Sequence, residues 1–190
     1  MVKKRKNIPS HGWGFEEILA EMKRGKNNDA DWKSGKMFGF VYYPGDNIAR
    51  AVEKIYNLYF YENALNPSIF PSIREMENQI VSMTANLLNV DENFAGNVTS
   101  GGTESIFLAT KVARDMAREN KTLIDQPEMI IPVTAHPAFN KAAHYLGVKV
   151  ITIPVCEYKR ADINSINRAI TNNTIMLVGS APNFPHGVID

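Results

Sequence analysis

Small and hydroxyl-bearing residues stand together at positions 99–105, in the order Thr-Ser-Gly-Gly-Thr-Glu-Ser. An apolar lead-in ends at Val98 and predicts a short strand, and from Glu104 apolar residues recur every three or four positions, as in a helix. This combination of a strand, a tight turn and the start of a helix is typical of an anion-binding site. The first helical turn presents unpaired amide N–H groups, and its dipole favours negative charge there.

The residue types within the turn support a phosphate as the anion. Gly101 and Gly102 let the backbone approach a ligand closely, and Ser100 and Thr103 add hydroxyl donors. No lysine follows the second glycine and the G-x-G-x-x-G spacing is absent, so neither a Walker A loop nor a dinucleotide fingerprint is present. The alternative is a plain strand-to-helix turn in which Ser100 or Thr103 caps the helix.

The elements that must position this turn follow from hydrophobic periodicity. Upstream, helices are predicted within 12–26, 48–61 and 72–87. Downstream, strands are predicted at 129–133, 148–155 and 174–180, alternating with helices at 104–120, at 137–146 and after Asp162. Strands that alternate with helices predict an α/β fold with a mostly parallel sheet and right-handed crossovers.

Three loops are expected to meet at one edge of this sheet, because ligands of parallel sheets lie beyond the carboxyl ends of the strands. They are the glycine turn, His136 and the segment 183–186. An imidazole beside a phosphate site can lie flat on an aromatic ring or transfer a proton. A structural role for His136 is the alternative.

A phosphorylated, flat, aromatic cofactor suits this edge, and pyridoxal 5′-phosphate is such a molecule. Its chemistry normally needs a lysine Schiff base and an acid at the pyridine nitrogen. No residue present is a good candidate for either role. Lys111 and Lys141 fall in predicted helices, Lys149 begins a strand, and Asp190 is the last residue.

Composition narrows the class of protein. The 190 residues are 44% hydrophobic with a net charge of +1, which provides no field for nucleic acid. A single cysteine favours a reducing compartment, and neither a secretory signal nor an apolar run of membrane-spanning length is seen, so a cytoplasmic protein is expected. The four histidines show no metal-ligand spacing, so no metal is predicted. The chain ends directly after a strand and turn, as an interrupted domain does.

Three stretches closely resemble the sphingosine-1-phosphate lyases, a decarboxylase-like group of pyridoxal-phosphate enzymes. The stretches are 98–105, 135–143 and 184–190, and the likeness extends over nearly the whole chain. The resemblance implies the large domain of a fold type I, aspartate aminotransferase-like enzyme, a mostly parallel sheet with flanking helices that is incomplete here. It further implies an amino-terminal helical segment, 1–62, that contributes to the dimer and active site, and a first part of the cofactor domain, 63–190.

The resemblance also assigns roles to the cofactor residues. Gly102 and Thr103, in a turn shaped by Ser100 and Gly101, would hold the cofactor phosphate. His136 would stack on the pyridine ring as a catalytic residue. The family's Schiff-base lysine and pyridine-binding aspartate come later than residue 190.

Three further residues would act on the substrate. Tyr42 matches a tyrosine that family members offer from the neighbouring subunit, which implies a homodimer, although an extra residue leaves the choice between Tyr42 and Tyr43 open. Asn63 and Asn66 fall in a loop that reaches the substrate phosphate. Because the family usually has histidine at position 66, Asn66 is expected to form hydrogen bonds rather than transfer protons. Eukaryotic members carry an amino-terminal membrane anchor, and this chain begins after that point.

The activity implied is retro-aldol cleavage of a phosphorylated sphingoid base to a fatty aldehyde and phosphoethanolamine, with membrane contact through the lipid substrate. One alternative is an amino-acid decarboxylase, which shares the turn and the histidine. The other is a catalytically incomplete binding fragment.

Overall fold

The computed structural model describes residues 7–120 and 124–190. Two compact units are present, Met1–Arg74 and Glu75–Asp190. The division expected after residue 62 concerns the domains of the whole protein and stays a prediction. Within the described residues, no helix is both long enough and apolar enough to cross a membrane.

The amino-terminal unit is helical. It contains α1 (Phe15–Lys26), a short 3₁₀ helix (Trp32–Ser34), α2 (Asp46–Leu58) and the start of α3 (Pro71–Leu87). Acidic residues occupy the first turn of α1 and basic residues its last turn, which complements the helix dipole. None of residues 7–74 is buried. The apolar face of α2 is uncovered in this unit, where Ile48, Val52 and Ile55 are each more than half exposed.

The second unit begins within α3 and continues through α4 (Gly102–Asn120). The strand expected to end at Val98 is wrong, because residues 93–99 form no strand. A strand is stabilised by the ladder it shares with a neighbour, and this segment has no partner strand among the described residues. Helix α4 begins at Gly102, two residues earlier than the periodicity predicted.

Three parallel strands form the sheet, which confirms the predicted α/β class. They are β1 (Glu128–Pro132), β2 (Lys149–Ile153) and β3 (Thr174–Leu177), in the order β2-β1-β3. Helix α5 (Ala138–Leu146) connects β1 to β2, and α6 (Ile163–Ala169) lies between β2 and β3 in the chain. Strand β1 is central and buried along its whole length. The carboxyl ends of β1 and β3 are therefore neighbours at one edge.

Alternate residues of β1 supply the two sides of the core. Met129 and Ile131 pack with α5 through Ala143, whereas Ile130 packs with Ile153 and the residues of α6. The two faces are filled by different helices, as in α/β folds whose helices cover both sides of a sheet. Arg114 Nη1 of α4 donates to the Leu146 carbonyl at 3.2 Å and so satisfies the carboxyl end of α5.

A buried carboxylate ties the amino edge of the sheet together. Glu128 is 6% exposed and accepts from Lys149 Nζ at 2.8 Å and from Thr171 Oγ1 at 2.7 Å. These bonds join the starts of β1 and β2 to the turn before β3. Chiefly the Lys149 bond, and then the Thr171 bond, lowers the pKa of Glu128.

We expect the stabilisation from Glu128 to depend on pH. Because the pKa is lowered in the folded state, the stabilisation is complete above the unfolded-state value of about 4.3 and is lost as pH falls through the folded-state value. Thermal unfolding of Glu128→Gln should show a lower Tm than the wild type at neutral pH and a difference that closes in acid. Glu157→Gln, at an exposed turn position, is the control. A Tm difference for Glu128→Gln that stays constant with pH would contradict this expectation.

Candidate functional site

The glycine turn leads directly into the first turn of α4. The Ser105 amide donates to the Gly101 carbonyl at 3.1 Å, which is the first hydrogen bond of the helix. The Ser105 hydroxyl lies 2.7 Å from that of Thr99, and the Thr99 hydroxyl also reaches the Gly101 carbonyl at 3.1 Å. These contacts hold the turn against the helix that follows it.

Glu104 occupies the donors of Ser100. Its Oε2 accepts from the Ser100 amide at 2.7 Å and from the Ser100 hydroxyl at 2.6 Å, and these bonds lower the pKa of Glu104. Both donors of Ser100 are therefore used in hydrogen bonds that stabilise the turn. Its direct contact with a phosphate stays a prediction.

Four consecutive amides of the described residues remain, from Gly101 to Glu104, and two of them belong to the predicted phosphate-binding residues Gly102 and Thr103. Neither N–H has a hydrogen-bond acceptor within residues 7–120 and 124–190. A Cβ built on Gly101 or on Gly102 would meet no atom within 4 Å, so the space beside the turn is open. Two unpaired amides beside open space at a helix start can bind an anion.

A second feature lies at the carboxyl edge of the sheet. His136, which follows β1, lines a cavity of about 440 Å³ together with Ser180, Asn183 and Phe184, which follow β3. The structure therefore brings together two of the three loops that were expected to converge. Parallel sheets bind their ligands beyond such strand ends.

The orientation of the His136 ring follows from one hydrogen bond. Its Nδ1 accepts from the Ala138 amide, at the first residue of α5, over 3.1 Å. An Nδ1 that accepts carries no proton, so the neutral ring has its proton on Nε2. The bond fixes the imidazole at the cavity wall.

Two enclosed polar atoms in this cavity wall lack partners. Thr134 Oγ1 and Asn183 Oδ1 are shielded from solvent and form no hydrogen bond within the described part of the chain. Buried polar atoms are normally paired, and an exception points to a water molecule or a ligand that belongs there. Both atoms are acceptors enclosed beside the cavity.

The third loop, the glycine turn, borders a different cavity. Gly101, Gly102 and Ser105 line a space of about 660 Å³ whose other walls come from α3 and from residues 90–99. No lining residue is shared with the His136 cavity. The expected meeting of the glycine turn with His136 stays a prediction.

The two asparagines of the amino-terminal unit each form a local turn. Asn63 Oδ1 accepts from the Leu65 amide at 3.0 Å, and Asn66 Oδ1 accepts from the Ser68 amide at 2.9 Å. Such turns order a loop through its own side chains. Both residues are exposed, and each keeps its carboxamide N–H groups available as donors.

Neighbouring contacts distinguish the two tyrosines. The Tyr43 hydroxyl donates to Asp46 Oδ1, Lys33 Nζ approaches the same oxygen at 3.3 Å, and the rings of Tyr43 and Trp32 meet edge to face at 5.2 Å. Tyr42 is 91% exposed, and its hydroxyl has no partner in the described residues. The geometry therefore leaves Tyr42, rather than Tyr43, available to a second molecule.

The sequence analysis missed two residues whose carboxylates hold the loops beside the candidate site. Glu104 was treated as a helix residue, although its spacing of four from Ser100 is close to that of a capping box. Asp190 was set aside as the last residue, yet its carboxylate accepts three hydrogen bonds. No local sequence pattern predicts a contact between residues 29 positions apart, such as the bond from the Ala161 amide to Asp190.

Residues 15–180 match the model of the pyridoxal-dependent decarboxylase conserved domain, and the chain belongs to that family. This confirms the resemblance and the fold class, and the cofactor of the family is pyridoxal 5′-phosphate. Sphingosine-1-phosphate lyase 1 of Mus musculus is 42% identical over 97% of this chain and 32% of its own length. The solved sphingosine-1-phosphate lyase of Burkholderia pseudomallei is 36% identical, with a TM-score of 0.87 over 98% of this chain and 45% of that one.

A probable L-aspartate decarboxylase of Pyrococcus furiosus is also similar, at 30% identity over 98% of this chain and 46% of its own length. The chain spans about a third of the length of the curated lyases it matches. Because the identity is 42% to the mouse lyase and 30% to the decarboxylase, the comparisons favour the lyases within this family.

The residues present fit a pyridoxal phosphate group. Its anionic end needs N–H donors in open space, and Gly102 and Thr103 provide them. Its flat ring needs a planar neighbour, and the His136 imidazole lines a cavity whose lining residues Thr134 and Asn183 each have an enclosed oxygen without a partner among the described residues.

Proposed function

We propose that the protein to which this chain belongs is a pyridoxal-phosphate-dependent carbon–carbon lyase. Its substrate is a phosphorylated sphingoid base, and its products are a fatty aldehyde and phosphoethanolamine. The observation that carries the proposal is the 42% identity to the mouse lyase over 97% of the chain, against 30% for the decarboxylase.

In this proposal the chain holds the cofactor at two places. The amides of Gly102 and Thr103 bind its phosphate. Ser100 and Gly101 form the turn before them, and the Glu104 carboxylate stabilises that turn through its hydrogen bonds to Ser100. His136 would stack on the ring, and the hydrogen bond from the Ala138 amide would hold the imidazole in position. When bound, the cofactor supplies the electron sink for breaking the Cα–Cβ bond of the substrate.

The substrate is held by its own phosphate. Asn63 and Asn66 direct carboxamide N–H donors at this group, since their oxygens are already used within the loop. This fixes the amino alcohol so that its β-hydroxyl proton can be removed as the bond breaks. Tyr42 Oη, offered from the partner subunit, moves a proton at the reacting centre.

The proposal includes a homodimer in the cytoplasm. Support for the dimer comes from the exposed apolar face of α2 and from the unpartnered Tyr42. The single cysteine supports a reducing compartment. Contact with a membrane surface would come through the lipid substrate.

The two tyrosines provide a matched pair of variants. Tyr42→Phe in the full-length protein should lower kcat by about 10²–10⁴, the usual range for losing a proton-transfer group, and should leave Tm unchanged because the hydroxyl bonds nothing in its own chain. Tyr43→Phe should lower Tm, because its hydroxyl bonds Asp46, and should keep kcat within about threefold, since it has no part in proton transfer. The reverse pattern would assign the role to Tyr43.

The activity itself is tested with sphingosine 1-phosphate and the full-length protein loaded with pyridoxal phosphate. Fatty aldehyde and phosphoethanolamine should appear in equal amounts, with no carbon dioxide released from glutamate or aspartate. Release of carbon dioxide without aldehyde would favour the decarboxylase. Absence of both reactions, together with no cofactor absorbance that borohydride removes, would favour a binding protein.

A further inference from the structure

The segment that follows β3 and lines the His136 cavity has its two ends joined by hydrogen bonds of one residue, Asp190. Asp190 Oδ2 accepts from the Ser180 amide at 3.0 Å, and the Asp190 amide donates back to the Ser180 carbonyl at 3.0 Å. These two bonds join the ends of the segment 180–190. That segment supplies half of the residues lining the cavity.

The other carboxylate oxygen reaches two further donors. Asp190 Oδ1 accepts from the Ala161 amide at 2.9 Å and from Asn183 Nδ2 at 3.4 Å. Ala161 follows β2 and is buried. The carboxylate therefore ties the loop after β3 to the loop after β2.

Asp190 also holds the side chain of Asn183, a residue that lines the cavity. Asn183 Nδ2 donates to the Lys159 carbonyl at 3.0 Å as well as to Asp190, so the two bonds fix the orientation of the carboxamide. The side chain is 3% exposed, and its Oδ1 is the atom left enclosed without a partner. A buried acceptor of this kind is costly unless a donor occupies the neighbouring space.

We propose that Asp190 is a positioning residue for this cavity. It closes the segment 180–190 and fixes the side chain of Asn183, so that the half of the cavity wall supplied by this segment keeps its shape when a molecule binds there. The identification of that molecule rests on the proposed function, whereas the closure of the segment does not.

Asp190→Asn is a sharp test, because the three partners that the carboxylate has among the described residues are all donors. An amide at this position turns an NH₂ group toward one of those N–H groups. Asp190→Glu keeps the charge and lengthens the side chain by one methylene. Asp162→Asn is the matched control, since Asp162 also accepts a backbone amide and a side-chain donor, at the start of α6, and does not line the cavity.

The first measurement is hydrogen exchange, followed by mass spectrometry, in the full-length protein without cofactor. In Asp190→Asn, the backbone amides of peptides covering 178–188 and 159–162 should exchange at least about tenfold faster than in the wild type. This is the effect expected from losing one charge-assisted hydrogen bond. Asp190→Glu should recover most of the protection. Asp162→Asn should exchange faster only at the start of α6. Wild-type exchange in Asp190→Asn, or the same loop opening in Asp162→Asn, would overturn the proposal.

The second measurement is the Kd for pyridoxal phosphate, from its absorbance. Asp190→Asn should weaken binding about tenfold and Asp162→Asn should not. Loop opening with unchanged affinity in Asp190→Asn would overturn the role of this segment in shaping the cavity for the cofactor. If the wild type binds no pyridoxal phosphate, the proposed function fails, and the exchange measurement still decides whether Asp190 closes the segment.

Discussion

Gly102→Asp is expected to remove cofactor binding while leaving α4 at least as stable as before. A Cβ built at this position meets no atom of another part of the chain within 4 Å, so a side chain can leave the backbone without a clash. A carboxylate in the first helical turn stabilises the helix by about 0.3–1 kcal/mol. The same carboxylate repels a phosphate. Two like charges 4 Å apart cost about 4 kcal/mol at an effective dielectric constant of 20, so the Kd for pyridoxal phosphate should rise at least about a hundredfold.

Two control variants show whether the effect is specific to a charge at position 102. Gly102→Ala adds a Cβ without charge and should weaken binding by less than about tenfold, because the surrounding space is open. Asn47→Asp adds the same charge to the first turn of α2 and should leave the Kd unchanged. If Gly102→Asp binds the cofactor as tightly as Gly102→Ala, the phosphate does not lie on the turn.

Two substitutions at His136 are expected to separate the ring from its hydrogen bond. His136→Phe keeps a flat ring but loses the acceptor for the Ala138 amide. Cofactor affinity should therefore be largely retained, while the start of α5 loses about 1 kcal/mol. His136→Asn keeps an acceptor but loses the ring, so Tm should be retained while the cofactor Kd rises about tenfold.

Turnover gives the second readout for His136. Both substitutions should lower kcat by about 10²–10⁴ if the imidazole takes part in proton transfer as well as stacking. A kcat near the wild-type value in His136→Phe would reduce the role of the residue to ring stacking. An unchanged Kd in His136→Asn would place the cofactor ring elsewhere.

Most of the second unit is predictable from periodicity, because its strands and helices are amphipathic or uniformly apolar. Strand β1 is one residue displaced from its predicted range, and β2 and β3 are shorter than expected. The strand before Val98 was wrong because an apolar run is a strand only where a neighbour completes its ladder. Pairing across the sheet is not contained in the local pattern.

The site was predictable where chain topology decides it. His136 and the segment after β3 share a cavity because parallel strands bring their carboxyl ends to one edge. The roles of Glu104 and Asp190 were not predictable, because each depends on a carboxylate meeting particular backbone amides. Such contacts depend on the folded loop rather than on residue type.

The helical first unit has a thermodynamic consequence. With no buried side chain among residues 7–74, this stretch removes too little apolar surface from water to offset the chain entropy lost on ordering. Its order must be gained from a surface outside itself. If that surface belongs to a second copy, mass action makes the melting of these helices shift upward with protein concentration.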